Sequence, residues 1–224
     1  MMNMALPLPA LPDDVRDQLQ SLGAVSRETI DKLRIYGDML LEETAQQNLI
    51  SASTIPDFWS RHILDSAQLI AAAGHPQSGV HWLDIGSGAG LPGIVLAIFG
   101  YKVTMIEPRR LRVDFLLRVI ERLKLDHATA LCGKVESLSN DTRFDAITAR
   151  AVAPLGDLWR MAGHLAKDDT IWILPKGKNA INELELARRS WQGDFTIIPS
   201  VTSADARIIV ARHVGPRNRG NTRP

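Results

Sequence analysis

The stretch that most constrains this chain is His81-Trp82-Leu83-Asp84-Ile85-Gly86-Ser87-Gly88-Ala89-Gly90-Leu91-Pro92-Gly93. A short apolar run closes on a carboxylate, three glycines alternate, and Pro92 opens an apolar segment with helical spacing. That order predicts a strand, a tight loop and a helix start. Glycines at 86, 88 and 90 permit positive φ and carry no Cβ, so a ligand can lie directly against the loop backbone. Beyond Pro92, which suits a first helical turn, the helix start would offer free N–H groups and the positive end of a dipole.

Two kinds of nucleotide-type ligand fit such a loop. Gly88-x-Gly90-x-x-Gly93 also satisfies the dinucleotide fingerprint, so the glycines alone leave the choice open. The acids separate the two. Asp84, at the mouth of the loop, would repel a pyrophosphate and welcome an ammonium group. Glu107 ends the next apolar run, Val103-Thr104-Met105-Ile106, where a carboxylate can take both hydroxyls of a ribose. The combination is similar to the S-adenosylmethionine loop of class I methyltransferases, with a nicotinamide or flavin enzyme as the alternative.

At 224 residues the chain can build one sizeable core plus an extension. Its net charge of +1 gives no global pull toward a polyanion, and Arg217, Arg219 and Arg223 of the tail supply that excess. RNA binding would therefore need a local patch. The single cysteine, Cys132, cannot pair within the chain, which fits a reducing, cytoplasmic setting; it reads as a small buried strand residue. Residues 1–12 are interrupted by Pro7, Pro9 and Pro12 and have no basic start, so they read as neither signal peptide nor anchor. No apolar run approaches the ~18 residues of a bilayer span.

Three helices are expected before the core: Asp13 to Leu22, one capped by Ser26 and running to about Gln46, and one from about Pro56 to Ala73. In an α-helix Arg61, His62 and Asp65 would share a face, with a surface ion pair between Arg61 and Asp65 as the plainer reading. From residue 80 the pattern alternates strand and helix. Strands are expected at 80–85, 102–107, 128–133, 144–149, 170–174, 195–199 and 207–212, and helices at 91–99, 109–125, 155–165 and 181–190. The last two strands are too close for a helical crossover and should form an antiparallel hairpin at one edge. This is an α/β, Rossmann-like, doubly wound seven-stranded sheet with an N-terminal helical extension: a cap at 1–75, a core at 76–214 and a basic, flexible tail at 215–224.

In such a sheet ligands sit beyond the carboxyl ends of the strands. Val135 and Glu136, after the third strand, are placed for an adenine. Arg150, after the fourth, faces the transferable group, and an ion pair with a nearby acid such as Asp84 is its structural alternative. The row Arg109, Arg110, Arg112, Arg118, Arg122 and Lys124 reads equally as a solvated face and as a phosphate grip.

The string from Leu83 to Gly93, with Asn48-Leu49, Arg61-His62-Ile63-Leu64-Asp65-Ser66, Arg150-Ala151 and Pro175-Lys176-Gly177, resembles the ribosomal RNA small subunit methyltransferase G family, also called glucose-inhibited division protein B. The likeness runs from about residue 25 to 213. It implies S-adenosyl-L-methionine-dependent methylation of guanine N7, at position 527 in the 530 loop of 16S ribosomal RNA, on naked RNA or on the small ribosomal subunit. By the same likeness, with the loop reading above, the cofactor contacts would be Asp84, Gly86, Gly88, Gly90, Leu91, Glu107, Val135, Glu136 and Arg150. Arg150 and Lys176 would position the guanine O6 or a neighbouring phosphate, while His62 and Asp65 would complete the pocket from the cap. Glu107-Pro108 stands where many relatives carry an Asp-Ser type pair. No metal and no membrane are expected, and nothing demands more than a monomer. The alternatives are a class I methyltransferase for a small molecule or a protein, and a cofactor-binding RNA-associated protein without turnover.

Overall fold

The computed structural model describes residues 7–22, 25–73 and 79–217. Helix α1 (Asp13–Ser21) buries Val15 and Leu19, and α2 (Arg27–Gln47) starts on Ser26, whose hydroxyl accepts the Thr29 N–H at 3.1 Å. The third expected helix is not one continuous α-helix. It opens as a π-helical segment, Trp59–Leu64, continues as α3 (Asp65–Ala67), and restarts as α4 (Leu69–Ala73). The wider π turn changes which side chains share a face. His62 is buried while Arg61 is exposed, and no Arg61–Asp65 ion pair occurs among the described residues.

The sheet that follows contains β1 (His81–Ile85), β2 (Lys102–Glu107), β3 (Ala128–Cys132), β4 (Phe144–Ala149), β5 (Ala166–Lys176), β6 (Trp191–Pro199) and β7 (Arg207–Pro216). Helices α5 (Gly93–Ile98), α6 (Arg110–Leu123), α7 (Leu155–Ala162) and α8 (Ala180–Ala187) connect them. The order across the sheet is β3-β2-β1-β4-β5-β7-β6, parallel except for β7, which runs antiparallel to both neighbours. The expected hairpin is present, and it places β7 inside the sheet with β6 at the edge. Both strands outrun their expected lengths because their far halves are half exposed and polar, without an apolar signal. Cys132 departs from its expected burial. As the last residue of edge strand β3 it is exposed, with Sγ 3.9 Å from the Pro108 carbonyl.

Side-chain alternation divides the core between the two faces of the sheet. Trp82, Val103, Met105, Ala146 and Ile173 pack with α5, α6 and the N-terminal helices. Leu83, Ile106, Ile147, Trp172 and Ile209 pack with α7 and α8. Among the described residues the cap has no separate core: Leu33, Tyr36, Leu40, Phe58 and Ile63 join the same cluster as Ile94 and Phe115. Trp59 Nε1 ties the segment before α1 to the cap through the Pro9 carbonyl at 2.8 Å. The carboxyl ends of β1 and β4 face a wall built by the cap, through Tyr36 on the Ala89 carbonyl and Asp65 on Arg150.

Candidate functional site

At that end lies a cavity of about 840 Å³. The cap contributes Leu49, Thr54, Arg61, His62, Asp65 and Gln68, the glycine loop Gly86 to Ala89 with Leu91, and the end of β4 residues 150–154. Its remaining walls come from Pro175 to Gly177, Glu183, Arg112, and the turn between β6 and β7. Five cations, Arg61, Arg112, Arg150, Lys176 and Arg207, line it against two carboxylates, Asp65 and Glu183.

The loop is held from below. Gly86, Gly88 and Gly90 have φ of 65°, 56° and 90°, which require glycine or strain. Gly86 N–H reaches the Ile106 carbonyl at 2.8 Å, and Gly88 N–H reaches Glu107 Oε2 at 3.0 Å. A Cβ on Gly88 would meet nothing nearer than Arg112 Nη1 at 3.5 Å, so this face of the loop is open. Over Gly86 the chain itself comes close: a Cβ there would stand 2.7 Å from Val152.

Asp84 is not at the mouth. It is buried, and its Oδ2 accepts the Gly93 N–H at 3.0 Å, so the first free N–H of α5 is spent on the protein rather than offered to a ligand. Its Oδ1 has no hydrogen-bond partner among the described residues. Burial pushes this carboxyl up to about 7, against the hydrogen bond from Gly93 and the field of Arg150; the Ser87 hydroxyl bonds the Asp84 backbone carbonyl, at 3.0 Å. Because the folded pKa lies above the unfolded value of about 3.9, the folded state keeps a proton that the unfolded chain releases between about pH 4 and 7. The stability that this proton confers is complete below pH 4 and lost as pH rises toward 7. Asp84→Asn should abolish this component, so its stability relative to wild type should rise by a few kcal/mol between pH 4 and 7, at roughly 1.4 kcal/mol per unit. Denaturant melts of both proteins across that range check it, and a constant difference would refute it.

Glu107 is buried beside the loop, its second oxygen accepting the Arg109 N–H at 3.0 Å and Arg112 lying 3.9 Å away. Arg150 does not pair with Asp84. Asp84 lies opposite Thr148 in the β1–β4 register, two residues before Arg150, and the guanidinium instead reaches Asp65 Oδ2 at 3.4 Å. Asp65 also accepts from Thr202 at 2.7 Å and from Gln68 at 2.9 Å. The β6–β7 turn is thus bound into the site, with Val201 N–H on Gln68 Oε1 at 2.9 Å.

His62 Nε2 lies 2.9 Å from Thr54 Oγ1 and its Nδ1 has no partner among the described residues. Burial, then Arg150 and Arg61, push its pKa down to about 4, so it is neutral at physiological pH. Lys176 Nζ is engaged, donating to Glu183 Oε1 at 2.7 Å and to the Ala153 carbonyl at 2.8 Å. Glu183 also accepts the Leu155 N–H at 2.7 Å. These bonds brace a turn in which Ala151 holds a left-handed φ of 56°, a strained conformation that its surroundings must maintain.

The structure thus brings Arg150, His62, Lys176, Gly86, Gly88 and Leu91 to one cavity, with Asp84, Gly90 and Glu107 beneath or beside its loop. It does not bring Val135 and Glu136 there: Val135 is buried in the α7–α8 core and Glu136 is exposed. Thr54, Gln68, Thr202 and Arg207 escaped sequence reasoning. Ser, Thr and Gln in short turns carry no pattern that separates a site wall from an ordinary turn. Among the described residues no cluster of three or more His, Cys, Asp or Glu could hold a metal, and no helix is long and apolar enough to cross a membrane.

The profile of the GidB family, described as rRNA small subunit methyltransferase G, matches residues 29–213. A protein of Zymomonas mobilis named ribosomal RNA small subunit methyltransferase G is 46% identical over 200 residues, covering 86% of this chain and 90% of that protein. One of the same name from Rhizorhabdus wittichii is 43% identical, covering 88% and 92%. Among solved structures, the glycopeptide N-methyltransferase MtfA complexed with sinefungin superposes with a TM-score of 0.57 at 12% identity, over 67% of this chain and 94% of that one. The ribosomal protein L11 methylase of Lactobacillus delbrueckii gives 0.51 at 18% identity, over 67% and 76%. At such identities the structures speak for the fold, a class I methyltransferase sheet.

Proposed function

The chain belongs to the rRNA small subunit methyltransferase G family, and we propose that it methylates N7 of a guanine in 16S ribosomal RNA, at position 527 of the 530 loop, using S-adenosyl-L-methionine. The observation that carries this reading is the shared cavity: one space joins the open glycine loop, the end of β4 and a cap wall, with cations in excess.

The residues present fit the cofactor. The uncovered face of Gly88 can receive it, Glu107 can accept from ribose hydroxyls, and Asp84 keeps one buried oxygen without a partner beneath the loop. Bound there, the cofactor supplies an electrophilic methyl group on a sulfonium sulfur. Guanine N7 carries an in-plane lone pair and no proton, so the protein needs no general base, and His62, with its pKa pushed down to about 4, would be a poor one. What the chain must do is orient, and orientation can lower a barrier by up to about 7–11 kcal/mol. Arg150, steadied by Asp65, is placed to hold the guanine O6 or a neighbouring phosphate. His62 forms the cap wall of the same pocket, and Lys176 keeps the β4 turn in place. Val135 and Glu136 remain candidates for the adenine side, with Val135 limited to backbone contact by its burial.

RNA is gripped at the rim. On α6, Arg110 is tied to Asp114 and Arg118 to Glu43, which weakens the row as a phosphate grip. Arg61 is exposed at the cavity and joins no ion pair among the described residues. Arg61→Ala should weaken RNA binding several-fold and reduce the slope of log affinity against log salt by about 1. Arg118→Ala should leave the slope within error; filter binding over a salt series distinguishes the two. The basic tail, most of which lies outside the described residues, would add a phosphate contact or two. We further propose a monomeric, metal-independent enzyme of the bacterial cytoplasm, with the cap 1–75 facing RNA and the core 76–214 holding the cofactor.

Small-subunit particles lacking base methylation, incubated with labelled S-adenosylmethionine and mapped by N7-specific strand cleavage, test the reading. Label at one guanine N7 of the 530 loop is expected. Label elsewhere overturns the substrate, and cofactor binding without transfer overturns the activity.

A further inference from the structure

Tyr36, on α2 of the cap, is fully buried, and its hydroxyl donates to the Ala89 carbonyl at 2.8 Å, 53 residues along the chain. Ala89 lies in the glycine loop and lines the cavity. It stands between Gly88 and Gly90, both at positive φ, so the peptide planes around it meet little steric resistance to rotation. The Ala89–Gly90 plane is held at both ends. Its carbonyl accepts the hydrogen bond from the Tyr36 hydroxyl, and its N–H donates to the Ser87 carbonyl at 2.7 Å. The other loop restraints, Glu107 on Gly88 N–H and Asp84 on Gly93 N–H, come from the strands below. Only the Tyr36 bond reaches this loop backbone from the cap among the described side-chain hydrogen bonds.

We propose that Tyr36 is a positioning residue for cofactor binding: its hydroxyl fixes the Ala89–Gly90 peptide plane so that the loop keeps its open face toward the ligand. The proposal rests on the S-adenosylmethionine reading of the loop. Two features give it substance. Burial raises the hydroxyl pKa above its ordinary range, so it remains a neutral donor. The cap that supplies Tyr36 also supplies Thr54, His62 and Asp65 to the cavity, so the cap position and cofactor affinity are linked, and linkage of binding free energies is reciprocal.

The chain contains only one other tyrosine, which serves as a matched control. Tyr101 is buried, its ring lies edge-on to Trp82 at 5.8 Å, and its hydroxyl makes no protein hydrogen bond among the described residues. Calorimetric titration of wild type, Tyr36→Phe and Tyr101→Phe with S-adenosylhomocysteine, beside thermal melts, makes the test. Tyr36→Phe should bind about tenfold more weakly, the scale of one buried neutral hydrogen bond, and Tyr101→Phe within about twofold of wild type. A Tyr36→Phe affinity within twofold of wild type, whatever its melting temperature, overturns the proposal. So does equal weakening by Tyr101→Phe. If wild type itself fails to bind, the cofactor reading falls and the proposal with it. Should Tyr36→Phe not fold, wild-type protein labelled with fluorotyrosine gives one ¹⁹F signal per tyrosine, assigned with Tyr101→Phe. Saturation with S-adenosylhomocysteine should move the Tyr36 signal and leave that of Tyr101 in place; an unmoved Tyr36 signal overturns the proposal.

Discussion

Arg150→Ala should lower single-turnover methyl transfer to small-subunit particles by about a hundredfold while leaving S-adenosylhomocysteine binding within about threefold of wild type. A misplacement of about 1 Å in the reacting pair costs roughly that factor. Two observations separate this from a folding defect. The side chain is part exposed in a cavity, at 26%, so truncation opens no void in the core. Its partner Asp65 retains the Thr202 and Gln68 hydrogen bonds after the guanidinium is gone and is not left bare. Arg150→Lys should recover part of the loss, since it restores the charge without the planar fork that fixes direction. Equal rates for wild type and a folded Arg150→Ala would remove Arg150 from the mechanism. A parallel loss of cofactor affinity would move its role to the loop, where its field already reaches Asp84.

The framework around Arg150 was legible where one apolar period ran unbroken. β2 at Lys102–Glu107 and β4 at Phe144–Ala149 begin and end at their expected residues, since buried parallel strands consist almost wholly of apolar side chains. The Ser26 cap of α2 was legible for a similar reason, being a local hydrogen bond within four residues. What could not be read were choices among equivalent partners. Asp84 and Asp65 are both acids within plausible reach of Arg150, and register decides between them: Asp84 is committed to Gly93 beneath the loop. The Arg61–Asp65 pair failed because the segment winds as a π-helix before α3, which no side-chain period announces. Lys176 looks like a free cation in Pro175-Lys176-Gly177, yet Glu183, seven residues on, comes round on α8 to meet it. Such contacts depend on how turns return the chain, and turn residues look alike whether or not they line a site.

Gly90→Ala and Gly88→Ala should separate folding from ligand recognition within one loop, and Gly90→Ala should be the most destabilising substitution considered. Both positions have positive φ, at which an L side chain costs about 1–2 kcal/mol. At Gly90 the new methyl would also stand 2.5 Å from Ile94 and 2.9 Å from Leu116, both buried. Overpacking of that kind adds about 1–3 kcal/mol, for a total of about 2–5 kcal/mol. At about 2–4 °C per kcal/mol for a chain of this size, thermal melts should record a fall of at least several degrees. At Gly88 the methyl meets Arg112 at 3.5 Å and the Gly86 carbonyl at 3.8 Å, both ordinary contacts, so the backbone cost stands alone. That methyl occupies the open face of the loop, where we place the cofactor, and affinity for S-adenosylhomocysteine should fall more than tenfold while the protein stays folded. Melts and titrations of the two variants should therefore rank them oppositely to each other: stability lower for Gly90→Ala, affinity per folded molecule lower for Gly88→Ala. If Gly88→Ala binds as wild type does, the cofactor does not lie against Gly88, and the open face of the loop has some other use.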